Sequence, residues 1–522
     1  MKRSAALLLS TVLAGALPAR ADVKVPASKP VKTSVDAVAA ELDVLVLDAK
    51  GKPVEGLVRG DFRLLVNGRE TPIDWLEAPQ GASAPAPAEG STAARAAAPA
   101  AGRLHSTVFV ISNLHTDVRS SKAGLVALRE YANRLPEGEP AAVYFLDNGV
   151  RRLQAFTTDR AAVVKALEKP ARMLPRSYVF SDTRGDEWVG QSRQMLRNFT
   201  TVLDSLASRP EAKTVVVLTG TISPTGFIRQ IGAGSVVVSP AAVVAGPAGY
   251  TSFSGPGLWN FLGEAKDAES QALLARATIV AIDPTGLDTS GGKSSRGVRG
   301  GGAVSGTWDF RNDTFALIAE STGGARLGYS NDPAALLADE SKLLAARYRL
   351  GFTPPDGSSA RRDIRVEVAR PGVAVRAAMG QRSLTPETAA RARFAALLLS
   401  ADPPTGDFAI ALETKGPVVK RATDAFPFDV LVPVSGVYAE EIPGGKRAKL
   451  ELLIAGVDEE GRTSEPMVIP FSVTLDKSAA DGTFFRKNSN FTLDRKWKGR
   501  LFVGVRDTST NRIGAVALPV GM

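Results

Sequence analysis

From Leu104 to Tyr348 the chain repeats one pattern, a short apolar run of strand length followed by a longer stretch with helical spacing. The apolar runs are "STVFVIS", "AAVYFLD", "KTVVVLTG" and "ATIVAID". Strands covered by helices on both faces read as continuous apolar runs, whereas half-exposed strands alternate. Between the runs lie "SKAGLVALREYANRL", with Leu125, Leu128, Tyr131 and Leu135 on one face, and "RAAVVKALEK", capped by Asp159. A long helix is expected from about Glu187 to Ala207 and another near Glu264 to Arg276, with two more in "DTFALIAESTGG" and "DPAALLADESKLLAARY". "RRLQAFTT" is placed as the hairpin partner of "AAVYFLD". This alternation predicts an α/β fold, a doubly wound and Rossmann-like sheet over 104–347. Two Gly-rich stretches, 222–257 and 286–307, are too long for tight connectors and are expected as mobile loops.

Both flanks read as β. Residues 33–78 hold a strand, a turn at Lys50-Gly51-Lys52-Pro53, and a strand pair turning at Asn67-Gly68, a strong hairpin signal. Residues 79–103, dominated by Ala, Pro, Gly and Ser, form a flexible linker. After Tyr348 the runs "RYRLGFT", "RDIRVEVARPG" and "VAVRAAMG" match the first strands in period and composition. Residues 348–380 are therefore expected to pack with 33–78 as one small β subdomain. A short helix, "PETAARARFAALLLS", falls within 384–400. Residues 401–522 carry about seven alternating strands spaced by turns, which predicts a C-terminal immunoglobulin-like β-sandwich.

The first 21 residues have the form of a signal peptide. Lys2 and Arg3 precede the apolar run Ala5 to Leu17, and Ala19 and Ala21 supply the small residues before the cleavage expected after Ala21. The chain is thus expected to be exported, to the periplasm or beyond the cell. That run falls short of the roughly 20 apolar residues that span a bilayer, and no later run reaches that length, so no integral membrane segment is expected. With no cysteine, neither disulfides nor cysteine-ligated zinc can form, and His105 and His115 are too few for a histidine cage. The net charge of +10 is scattered, without a basic stripe interleaved with aromatics. It reads as a solvated surface, and no nucleic-acid partner is expected.

The order of phrases from 33 to 385 resembles the secreted von Willebrand factor type A-related proteins of acidobacteria and their relatives. The phrases are "DVLVLDAKGKPVEGLVRGDFRLLVNG", "VFVISNLHT", "FTTDRAAVVKALEK", "KTVVVLTG", "ARATIVAIDPTGL", "FALIAESTGGARLGYSNDPAALL" and "ARYRLGFTPPDGSSARRDIRVEVARPGVAVRAAMG". They cover roughly two thirds of the chain and do not reach 400–522. The resemblance implies a type A-like domain, many of which carry a metal-ion-dependent adhesion site. There the first strand ends in Asp-x-Ser-x-Ser, a later loop adds a threonine, and the fourth strand ends in a second aspartate. Mg²⁺ takes such hard oxygens octahedrally, normally with one or two carboxylates.

Laid on this chain, the first aspartate falls at Ser112, the serines at Leu114 and Thr116, the threonine at Thr183 and the second aspartate at Gly220. Both carboxylate positions are neutral, so the site reads as degenerate, with no metal ligand assigned and no cofactor expected. Asp117, Asp182 or Asp186 would have to compensate for Mg²⁺ to bind. The candidate ligand-binding residues are Ser112, Asn113, His115, Thr116 and Thr183, at the ends of strands where open α/β sheets place ligands.

Other motifs carry less. "GGKSS" at Gly291 to Ser295 lacks the first glycine of a phosphate loop, since Leu287 stands there. His115 beside Ser112 lacks a recognisable acidic partner for a hydrolase. "VDEEG", Asp458 to Glu460, reads as a solvated turn. The expectation is an exported, non-catalytic adhesion or scaffold protein whose partner is a protein or envelope component. The alternatives are metal-dependent adhesion through a shifted ion site, a secreted hydrolase, and an envelope assembly scaffold.

Overall fold

The computed structural model describes residues 40–79, 105–112, 116, 118–173, 185–220, 222, 225–231, 234–238, 258–284, 313–328, 330–355, 361–400, 406–414, 418–419, 423–476, 484–494 and 496–520. The expected signal peptide at 1–21, nearly all of the linker at 79–103, and the Gly-rich stretch 286–307 lie outside them.

Strands β1 to β4 (Ala40–Leu47, Phe62–Val66, Arg69–Thr71, Trp75–Glu77) open the described chain. Asn67 and Gly68 both take positive φ, 51° and 76°, and turn β2 into β3, which explains that residue pair at that point.

The central unit is a mixed α/β layer. Its strands are β5 (His105–Ser112), β6 (Ala141–Leu146), β7 (Val150–Thr157) and β8 (Ala212–Leu218). After a small antiparallel sheet of β9 (Thr225–Ile231), β10 (Gly234–Val238) and β11 (Leu258–Asn260) come β12 (Ala277–Ile282) and β13 (Ala325–Leu327). The sheet order is β13-β12-β8-β5-β6-β7, parallel throughout except for β7, which runs antiparallel to β6. The β9–β10 hairpin corrects the expectation of a loop over all of 222–257. Val236 to Val238 pair with Arg229 to Phe227, so β-branched residues override the Gly and Ser around them.

Alternate residues of each strand enter opposite cores, as the period of two requires. Val108, Val110, Val215, Val217 and Ile279 pack against α3 (Gly185–Ala207), α4 (Leu262–Leu274) and α5 (Thr314–Ser321). Phe109, Ile111, Val216, Leu218 and Val280 pack against α1 (Val118–Asn133), α2 (Arg160–Ala166) and α6 (Pro333–Ala345). Helices therefore cover both faces, and the continuous apolar runs follow from it.

Four strands follow: β14 (Tyr348–Phe352), β15 (Arg361–Val368), β16 (Ala374–Ala377) and β17 (Gly380–Arg382). They pair with the opening strands in two sheets, β16-β1-β14-β4 and β17-β15-β2-β3. Val44, Val46, Leu64, Val66, Tyr348 and Leu350 form the core between them.

Helix α7 (Pro386–Leu398) starts with a Thr385 cap and is buried on two sides. Ala392 belongs to the core around α3, whereas Ala390, Phe394 and Leu398 pack on Leu453, Ala455 and Phe502 of the last part of the chain. That part comprises β18 to β22 (Ala411–Thr414, Val418–Val419, Thr423–Pro433, Glu440–Ile442, Gly445–Asp458) and β23 to β27 (Arg462–Thr463, Met467–Asp476, Phe484–Asp494, Gly499–Asp507, Ile513–Val520). One antiparallel sheet runs β24-β22-β26-β27 and another β18-β20-β25, with Phe428, Val430, Ile454, Phe491 and Val503 between them. Two residues of β23 pair with β7, Arg462 with Arg151 and Thr463 with Val150. The α/β sheet and the C-terminal strands thereby form one mixed sheet of 12 strands. Gly149 makes the approach possible, because a Cβ there would lie 2.5 Å from the Thr463 carbonyl oxygen.

Candidate functional site

The parallel strands β5, β8 and β12 end on one side of the sheet, here called the apical end. Their last residues lead into Ser112, the turn Thr219-Gly220, and Asp283. Ser112 is buried, at 1% exposure. Thr116 is buried too, and its hydroxyl lies 2.6 Å from that of Ser121 in α1. Gly124, one turn further along α1, lets the helix close on this end, since a Cβ there would meet the Leu218 side chain at 2.4 Å. Neither hydroxyl of the expected set that is described faces solvent. Asn113, Leu114, His115, Asp117, Asp182 and Thr183 lie outside the described residues, and Asp186 falls in the first turn of α3.

Three residues that the motif did not single out organise this end. Asp313 caps α5, accepting from the Phe315 N–H at 3.1 Å and from the Ile222 N–H at 3.2 Å. Arg326 on β13 donates through Nε to Asp313. Its Nη2 lies 3.4 Å from an Asp283 carboxylate oxygen, and its Nη1 donates to the Thr219 carbonyl at 3.3 Å. The side chains of Arg326, Asp283 and Asp313 are 4%, 7% and 0% exposed. Burial pushes the Asp313 carboxyl above its ordinary range, against the pull of Arg326 and of the two backbone N–H groups. The signals were present but generic: an aspartate closing "ATIVAID", another before "TFALIAES", and an arginine in "GGARLGYS".

These residues do not fit a divalent ion. A hard cation needs several oxygens free to turn toward it. Here the described carboxylates nearby, Asp283 and Asp313, already hold a guanidinium. Among the described residues no group of three or more His, Asp or Glu is arranged to hold a metal.

At the opposite ends of the strands, His105 joins Glu139 and Thr214. Its Nδ1 is 3.1 Å from Glu139 Oε1 and its Nε2 is 3.2 Å from Thr214 Oγ1. That is the connectivity of an acid–base–nucleophile triad. Thr214, however, is 2% exposed in the middle of the sheet, so its hydroxyl has no room for a substrate carbonyl. The His105 ring serves instead to tie β5, β8 and the loop before β6.

Nearby, a cleft of about 660 Å³, part of it open solvent, separates the α/β unit from the flanking strands. Arg276 bonds Glu41 across it, Arg349 holds Asp43 at 3.1 Å, and Arg347 Nη1 donates to Thr278 at 3.1 Å. Burial works to raise Asp43, but Arg347 and Arg349 prevail and hold its carboxyl below the usual range. The buried Arg347 guanidinium is pushed down by the same desolvation. These groups join the α/β unit to the flanking strands and present no reactive centre.

Neither a protein-family model nor a curated protein matches the sequence. Among solved structures the chain is similar to an aerotolerance-related membrane protein from Bacteroides fragilis, at 10% identity and a TM-score of 0.25, over 46% of this chain and 98% of that one. It is similar to the vWF domain of the type V pili tip protein Mfa5 from Porphyromonas gingivalis, at 13% identity and a TM-score of 0.23, over 46% of this chain and 93% of that one. It is also similar to a von Willebrand factor type A protein from Catenulispora acidiphila, at 10% identity and a TM-score of 0.25, over 93% of this chain and 75% of that one. Likeness at these scores carries no argument about function.

Proposed function

We propose that the chain is an exported, non-catalytic interaction protein. Its type A-like unit binds a protein or envelope component through the apical loops, without a divalent ion. The observation that carries this reading is the Asp313–Arg326–Asp283 group, which meets the apical carboxylates with a cation from the chain itself. With those carboxylates engaged from within the chain, the end offers hydrogen-bonding groups rather than an electrophile for an acidic partner. Because Ser112 and Thr116 are buried, the contacts are assigned to the other candidates, Asn113, His115 and Thr183. The two C-terminal sheets are read as an immunoglobulin-like sandwich that presents this end. The buried Thr214 hydroxyl weighs against a hydrolase.

The test is capture from an envelope extract, run with Mg²⁺ and with EDTA. We expect one set of partners, retained equally in both and lost with Asn113→Ala plus His115→Ala. Capture abolished by EDTA would sink the metal-free reading. The scaffold alternative is favoured by one observation, the shared sheet of α/β and C-terminal strands. It expects capture to survive the apical substitutions.

A further inference from the structure

The described residues after β8 are held by bonds to three other parts of the chain. Thr219 N–H donates to the Ile282 carbonyl at 3.1 Å, Ile222 N–H donates to Asp313, and Thr314 N–H donates to the Ile222 carbonyl at 2.8 Å. Arg326 stands at the centre of this arrangement. Its guanidinium reaches Asp313, Asp283 and the Thr219 carbonyl, and these come from three separate parts of the chain. Two carboxylates and one carbonyl converging on a single buried position make a set of hard oxygen donors. What sits among them is a planar organic cation with a fixed fork of donors, which matches carboxylates in geometry.

We infer that Arg326 is the resident cation of the apical end. It performs, covalently attached, the organising work that a bound divalent ion performs elsewhere, and it keeps the Thr219 carbonyl and Asp313 in one arrangement. The inference rests on the metal-free reading above and goes further, because it says why the end needs no ion and what would make it need one. With the guanidinium gone, Asp283, Asp313 and the Thr219 carbonyl would lose the cation they share. A cation supplied from solution would then be bound. Mn²⁺ suits such a mixed carboxylate, carbonyl and water set, and guanidinium ion suits the shape that was removed.

The experiment compares full-length wild type, Arg326→Ala, and Arg326→Ala with Asp313→Asn. Thermal melting is followed in EDTA, in Mn²⁺ and in low-millimolar guanidinium chloride. Protection of the Ile222 and Phe315 amides is followed by hydrogen exchange. Wild type should be indifferent to both cations. Arg326→Ala should lose protection at both amides and regain it with either cation, with a rise in melting temperature of about five degrees or more near saturation. The double variant should respond to Mn²⁺ much less. If neither cation restores Arg326→Ala, whether that chain is folded or unfolded, the inference is overturned. If wild type itself responds to Mn²⁺, and keeps that response with Asp313→Asn alone, the metal-free reading falls by itself, because the ion then sits elsewhere.

Discussion

At the apical end one arginine, Arg326, holds Asp283 and Asp313 away from water. At the join between β7 and β23, Arg151 and Arg462 hold Asp147, Asp458 and Glu460 within reach of it. The chemistry is alike, with guanidinium groups between carboxylates at hydrogen-bond distance. The setting differs: Arg326 is 4% exposed, whereas Arg151 is 14% and Arg462 33% exposed. Coulomb attraction between unit charges grows several-fold as water is excluded, and so does the cost of leaving one partner alone. The apical group should therefore be stiff and intolerant of loss. The join should depend on its backbone pairing, with the ions as trim.

Arg326→Ala is the substitution expected to do most. It takes the shared cation from two buried carboxylates, and the loss should reach about 3 to 5 kcal/mol, read as a drop in the urea midpoint. A loss near that of an exposed pair would erase the contrast between the two regions.

Asp204 offers the next effect, with the opposite sign. It lies on α3, with Asp267 of α4 and Arg391 of α7 within electrostatic range. Burial first, and then Asp267, raise its pKa to about 6 from 3.8, with Arg391 opposing. A carboxyl that is harder to ionise in the folded state favours folding below its unfolded pKa. It disfavours folding increasingly as pH rises from about 4 to 6, and by a constant amount above that. Asp204→Asn should therefore stabilise the protein at pH 7 by about 2 kcal/mol and flatten its stability between those values. An unchanged pH profile would show that Asp204 is hydrated.

Gly149→Val probes the join through its backbone. The added Cβ would lie 2.5 Å from a main-chain carbonyl, which cannot rotate away as a side chain can. Overpacking of this kind costs about 1 to 3 kcal/mol. The amides of residues 150–151 and 462–463 should lose exchange protection, while β5 and β8 keep theirs. Uniform loss across β5 to β8 would mean that the shared sheet is one cooperative unit.

How much of this was visible in the sequence follows from the range of each interaction. The helix expected from about Glu187 to Ala207 is α3, because its spacing repeats within one turn. Asp159 does accept from the Ala162 N–H at 3.1 Å, because a cap acts over three residues. The β9–β10 hairpin was hidden by the Gly, Ser and Pro around Val236 to Val238. The role of Arg326 was not legible: its partners lie 13 and 43 residues away, and no periodicity links them. Strand β23 is two residues long, too short for any pattern, and only its pairing with β7 reveals it.

Arg462→Ala should have the smallest effect, and it is the sharpest check on the comparison. Arg462 contacts Asp458 at 2.6 Å and Glu460 at 3.0 Å, both on the same turn. Glu460 is 53% exposed, and such pairs are worth about 1 kcal/mol or less. At physiological salt, exposed charges are screened over about 8 Å, so raising the ionic strength should remove what little remains. The ladder with Arg151 uses main-chain groups, which alanine retains. The amides of 150–151 and 462–463 should thus keep their protection in Arg462→Ala at any salt. If protection vanishes, and salt alone removes it from wild type, then the ions hold the two sheets together and the backbone pairing merely follows. The wet arginines would then matter as much as the dry one, and exposure would no longer rank these two regions.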